Sequence, residues 1–272
     1  MIVSVVRLLL AILLLAAAQA FAQGAQTVFL DELTWTELRD EIGAGRRTVL
    51  VPIGGTEQSG PYVVLGKHNV RAKALSEKIA SALGNALVAP LVAYVPEGSI
   101  SPPTAHMRFP GTISIPDAVF EKVLEYTARS LQAHGFHDIV FLGDNGGYQK
   151  DEQRVAALLN REWASTPVRV HALPEYYRAA TVTFAETLRE RGFGNDEIGT
   201  HAGLADVSLS LAIDPKLVRR DFSQSMTDPN PAHERDGVLG DPRRATAELG
   251  QAGVDAIVAQ TVEAIKRATA RP

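Results

Sequence analysis

The chain has 272 residues, 46% apolar and 21% charged, too apolar for disorder and long enough for one large or two small domains. Its 31 acidic against 27 basic residues, a formal charge of -4, argue against the basic face that nucleic acid or anionic lipid requires. The absence of cysteine excludes disulfides and thiolate chemistry, so any metal must be held by nitrogen and oxygen.

Residues 1–22 pass from Arg7 through the apolar run Leu8 to Ala18 into Ala20-Phe21-Ala22, the order of a secretory signal, and predict cleavage after Ala22. The alternative, a retained anchor, needs about 20 apolar residues, more than this run supplies. Residues 23–272 are then one mature domain, periplasmic or secreted, with no membrane anchor.

Thr48 to Ile53 reads as a buried parallel strand entering Gly54-Gly55. Residues 70–82 take helical spacing, with Val70, Ala74, Leu75, Ile79 and Leu83 on one stripe. Ala86 to Tyr94 is a second apolar run, followed by a Gly/Ser/Pro-rich loop from Glu97 to Pro110. Pro116-Asp117 open a helix whose stripe is Val119, Phe120, Val123, Leu124, Thr127 and Leu131, and His134-Gly135 close it. Ile139 to Leu142 is a third strand. A helix with Val155, Leu158 and Leu159 follows, then a fourth strand from Val168 to Leu173. This alternation predicts an α/β class with a mainly parallel sheet and helices on both faces. Ligands of such sheets bind beyond the carboxyl ends of the strands, here the loops 54–69, 97–112 and 143–149.

Three familiar motifs fail on spacing. Gly60 to His68 has the wrong interval and the wrong last residue for a phosphate loop. Ser59 lacks the first glycine of a nucleophile elbow. Gly143 to Gly147 lacks the dinucleotide pattern.

The first loop, Gly55-Thr56-Glu57-Gln58-Ser59-Gly60-Pro61-Tyr62 followed by Leu65-Gly66-Lys67-His68, resembles the creatininase (creatinine amidohydrolase) family, whose loop reads G-x-x-E-Q-H-G-P-H-L-P-L-G-x-D. His106-Met107-Arg108-Phe109-Pro110-Gly111-Thr112 matches its H-x-x-F-P-G-T, and Asn145-Gly146-Gly147 its H-G-G-N. His201-Ala202-Gly203 with Asp206 and Ser208 matches H-A-G-x-x-E-T-S, and a glycine-rich tail follows from Gly237 to Ala247. The blocks keep family order over residues 50–250. The resemblance implies a three-layer α/β/α domain, often a hexamer, with a two-metal site that hydrolyses a carbon–nitrogen bond of a cyclic or linear amide. It also implies that His201 is the general acid or base and that Tyr62, His106 and Asp206 face a small-molecule amide substrate.

By the same resemblance the metals are held by the Glu and His of E-Q-H, the Asp of L-G-x-D, the His of H-G-G-N and a carboxylate just beyond it. Here Glu57 alone is unchanged; Ser59, His68 and Asn145 stand at the other three named positions, and Tyr62 replaces the His of G-P-H. Two dications about 3.5 to 4 Å apart repel by roughly 20 kcal/mol at an effective dielectric of about 20. An imidazole, with one lone pair, cannot bridge them as a carboxylate does. The expectation is therefore one zinc or manganese ion on Glu57, His68, Asp144 and Asn145, with a position open for water. Glu57 and His201 are the expected catalytic pair. Two alternatives stay open: Glu57 bonds the loop backbone while His68 caps the next helix, or the fold binds a small molecule without metal or turnover.

Overall fold

The β-branched and apolar run Thr48–Ile53 forms β1, and every one of its residues is buried. In the computed structural model, which describes residues 27–219 and 236–270, β1 lies between two neighbours. The expected signal segment falls outside the described residues. In chain order the elements are α1 (Trp35–Gly43), β1, α2 (Lys67–Leu83), β2 (Ala86–Val88), α3 (Asp117–Ala133), β3 (Asp138–Gly143), α4 (Gln149–Glu162) and β4 (Arg169–Ala172). They continue as α5 (Pro174–Arg178), a π-helical turn at Ala179–Thr183, α6 (Phe184–Glu190), α7 (Asn195–Ile198), α8 (Leu204–Ile213) and α9 (Ala247–Thr269).

The strands are parallel in the order β2-β1-β3-β4. β1 aligns Thr48 with Asp138 and Ile53 with Gly143 of β3. Alternation along β1 divides the core: Val49, Val51 and Ile53 pack with Phe120 and Leu124 of α3 and Val155 and Leu159 of α4. Leu50 packs on the other face with Leu75 and Ile79 of α2 and Val254 and Ile257 of α9. This is the expected three-layer α/β/α arrangement, its period of two set by the strand pleat. The chain leaves β1 toward β2 on one side and reaches β3 on the other, so the loops after β1 and β3 diverge and open a crevice, the usual ligand position in a doubly wound sheet.

Three expected elements differ in detail. The second strand stops at Val88 rather than Tyr94, because Pro90 has no N–H for a ladder; only a single further bridge joins Ile53 to Val92. In α3 the buried stripe is Phe120, Leu124, Glu125, Ala128 and Leu131, leaving Val119 and Val123 outside. In α2 the helix starts three residues earlier than its apolar stripe suggests, at Lys67, and Val70 is exposed. That early start decides the chemistry of the site.

Candidate active site

Glu57 leaves β1 four residues downstream and is fully buried. The loop reaches it under restraint. Gly55 N–H donates to Asn69 Oδ1 at 2.9 Å, and Gly55 takes φ +150 where an added Cβ would lie 2.5 Å from Glu97 Oε1. Tyr148, just past β3, donates to the carbonyl of Gly54 at 2.6 Å and accepts from the N–H of Asn145 at 3.1 Å. One phenol thus ties the β1 loop to the β3 loop.

Glu57 Oε1 accepts from His68 Nε2 at 2.7 Å and Oε2 accepts from Asn145 Nδ2 at 2.9 Å. The other ring nitrogen of His68, Nδ1, lies 2.6 Å from Asp144 Oδ2. Arg71 Nη2 is also 3.1 Å from Nδ1, but the shorter approach of a carboxylate requires a proton on that nitrogen. Arg71 donates to Asp144 at 2.8 Å and to Asp206 at 2.7 Å. Lys67 pairs with Asp206 and stands 3.7 Å from Glu57 Oε1. The six groups close a ring of alternating sign, Glu57, His68, Asp144, Arg71, Asp206, Lys67 and back to Glu57. Tyr176 donates to Asp144 Oδ1 at 3.0 Å, and Ala202 N–H to Asp206 Oδ2 at 3.0 Å.

On its cavity side Glu57 meets two more imidazoles. His106 Nε2 is 3.3 Å from Oε2 and His201 Nδ1 is 3.7 Å from Oε1. The two rings tilt together with centroids 4.5 Å apart. Their second nitrogens turn to Gln58: His106 Nδ1 lies 2.9 Å from its amide nitrogen, and His201 Nε2 lies 2.9 Å from its backbone carbonyl. The latter contact fixes the proton of His201 on Nε2, leaving the Nδ1 lone pair toward Glu57. One atom each from Glu57, His106 and His201 lies within 4.8 Å of the others. They line a cavity of about 700 Å³ that also takes in Glu97, Asn145, Tyr177 and Leu239.

The electrostatics follow from this crowding. Burial opposes ionisation of Glu57, but His68, Lys67 and His201 outweigh it and hold its pKa well below the carboxylate range. Asp206 is likewise depressed against burial by Lys67 and Arg71. Burial and the Lys67 charge act against protonation of His68, yet Glu57 and Asp144 raise it. His201 is pushed down to about 4 by burial and then by Lys67, so it is neutral at pH 7. Glu97 is pushed up to about 9, first by burial and then by the charge of Glu57.

The residues expected as ligands are thus brought together, but mostly as hydrogen-bond partners. His68 uses both nitrogens on carboxylates, Asp144 reaches Glu57 only through that imidazole, and Asn145 presents an amide N–H, which has no lone pair for a metal. The alternative of a helix cap also fails, since Gly66 is the N-cap of α2 and His68 lies inside it. Asp206 spends both oxygens on Lys67, Arg71 and Ala202. Tyr62 is buried behind the His201 loop, donating to the carbonyl of Ala202 at 3.0 Å, and is not among the residues that line the cavity. His106 does line it. Sequence reading missed Lys67, Arg71, Gln58 and Glu97. The spacing of Lys67 and Arg71, four apart on one helix, was the available signal.

Comparison with known proteins decides the lineage. The creatininase family, described as creatinine amidohydrolase, matches residues 31–265. The chain belongs to this family. It is 28% identical over 202 residues to the creatinine amidohydrolase of Pseudomonas putida, covering 72% of this chain and 76% of that protein. It is 30% identical over 224 residues to a mycofactocin precursor peptide peptidase of Mycolicibacterium smegmatis, covering 80% and 84%. A solved mutant creatininase of Zn–Zn type superposes with a TM-score of 0.74 at 25% identity, over 91% of this chain and all of that one. The family is thus one of amidohydrolases by its description.

Proposed function

We propose that the protein hydrolyses a carbon–nitrogen bond of a small cyclic or linear amide and holds one zinc or manganese ion on Glu57, His106 and His201. The observation that carries this reading is the convergence of one carboxylate oxygen and two ring nitrogens within 4.8 Å at the cavity floor. The donors suit the ion. Glu57 is ionised, and His201 already directs a lone pair inward. His106 joins once the Gln58 side-chain amide turns over, so that its oxygen accepts from Nδ1. One carboxylate and two imidazoles leave a position for water, and a bound ion supplies hydroxide near neutral pH and polarises the carbonyl.

The chain's own groups then divide the remaining work. Asn145 and His68 fix the Glu57 carboxylate. Glu97 keeps its proton on the cavity wall and is placed to give it to the departing nitrogen. His201, expected as acid or base, serves in this reading as a ligand. We also propose that the mature domain acts outside the cytoplasm as a homo-oligomer, on the strength of the N-terminal segment and the family resemblance.

A second reading, a binder without turnover, is favoured by one fact: both Glu57 oxygens already accept protein hydrogen bonds. Metal analysis after dialysis, with a screen of cyclic and linear amides, separates the two. About one equivalent of metal with turnover that chelator abolishes supports hydrolysis. Less than about a tenth of an equivalent with no turnover leaves the binder.

A further inference from the structure

We infer that the closed ring of Lys67, His68 and Arg71 with Glu57, Asp144 and Asp206 holds the place of a second metal ion, so that this chain loads at most one divalent cation. The inference deepens the single-ion reading and rests on it only for where the first ion sits.

The geometry carries it. All three cationic groups come from the first two turns of α2, and each joins two different carboxylates. His68 lies 2.7 Å from Glu57 and 2.6 Å from Asp144. Arg71 lies 2.8 Å from Asp144 and 2.7 Å from Asp206. Lys67 joins Asp206 to Glu57. Lys67, His68 and Arg71 are all buried, so their charges are matched by these carboxylates rather than by water. Asp144 and Asp206, the two carboxylates of the ring that the first ion does not use, are thereby engaged by His68, Arg71 and Lys67. No ligand atom is free either: each His68 nitrogen is already engaged by a carboxylate, and Lys67 and Arg71 are donors only. A further sign of a vacated role is Ser59. It stands where the family loop has a histidine, is fully buried, and its hydroxyl has no partner among the described residues.

The test is metal stoichiometry, which does not depend on activity. Wild-type protein and the variant Ser59→His/His68→Asp/Asn145→His, each folded with zinc and dialysed into metal-free buffer, are analysed by elemental mass spectrometry. The expected result is no more than one equivalent in the wild type and one additional equivalent in the variant. Two tightly held equivalents in the wild type overturn the inference, and so does a folded variant that gains none. If the variant does not fold, zinc titration of the wild type decides alone: saturation at one equivalent or fewer upholds the inference, and a second tight equivalent refutes it. A wild type with no zinc beside a variant with one would end the single-ion reading and leave this inference standing.

Discussion

Glu97 shows how far one neighbour can alter a carboxyl group. Burial and the charge of Glu57 push its pKa up to about 9, so in chelator-treated protein the folded state keeps a proton that the unfolded state has released above about pH 4.5. The native form therefore binds more protons, and stability must fall as pH rises from about 4.5 to about 9. Glu97→Gln cannot titrate and is free of that slope. Urea unfolding at pH 5 and pH 8 should show the variant gaining more than about 1.4 kcal/mol on the wild type between the two, one pH unit's worth of linkage. Parallel pH profiles would show that Glu97 is ionised in the folded protein. At this scale much of the site was legible. Glu57, His106 and His201 sit in motif-bearing loops, and the first lies at the end of a recognisable strand. The charge states were not, because they depend on which groups the fold packs against them.

At the scale of elements, α2 carries the lesson. Its apolar stripe located the helix, but His68 read as a metal ligand, and Lys67 and Arg71 drew no functional reading, since charged residues at helical spacing usually face water. Besides Glu57, the carboxylates delivered from β3 and α8, Asp144 and Asp206, make burial of that face tolerable, and no local pattern announces partners 70 or more residues away. The approach of α9 to α8 was similarly silent. Two glycines allow it: a Cβ on Gly250 would meet the backbone carbonyl oxygen of Ser208 at 1.8 Å, whereas one on Gly253 would meet the side chains of Leu209 and Phe184 at 2.7 and 2.8 Å. Side chains can turn aside and backbone cannot. Gly250→Ala should therefore cost about 1–3 kcal/mol in urea unfolding, at or above the upper end of that range, and Gly253→Ala distinctly less. Equal losses would mean that the helices separate as rigid bodies.

For the whole molecule, the order β2-β1-β3-β4 places the site before any side chain is considered, because the loops after β1 and β3 part at the switch point. Strand and helix alternation made that class readable, whereas Pro90 shortened the second strand and the C-terminal helix α9 drew no attention. Since the proposed ion ligands come from three distant segments, binding should stabilise the entire fold. At zinc concentrations about 100-fold above Kd the gain is about 2.7 kcal/mol, a rise in Tm of about 5–10 °C for a domain of this size. His201→Ala and His106→Ala should each erase most of that rise in a thermal scan. A rise that survives both substitutions would place the ion elsewhere.

The alternating ring also constrains how this chain can change. Replacing His68 alone by an acidic residue would leave Lys67 and Arg71 facing four carboxylates, replacing Arg71 alone would orphan Asp206 Oδ1, and replacing Lys67 alone would remove the cation between Asp206 and Glu57. Each first step away from the present arrangement thus loses foldedness before it gains a ligand. Within the ring, a stability barrier therefore stands on each single-substitution route, and a return to metal-rich chemistry through it would take several replacements acquired together.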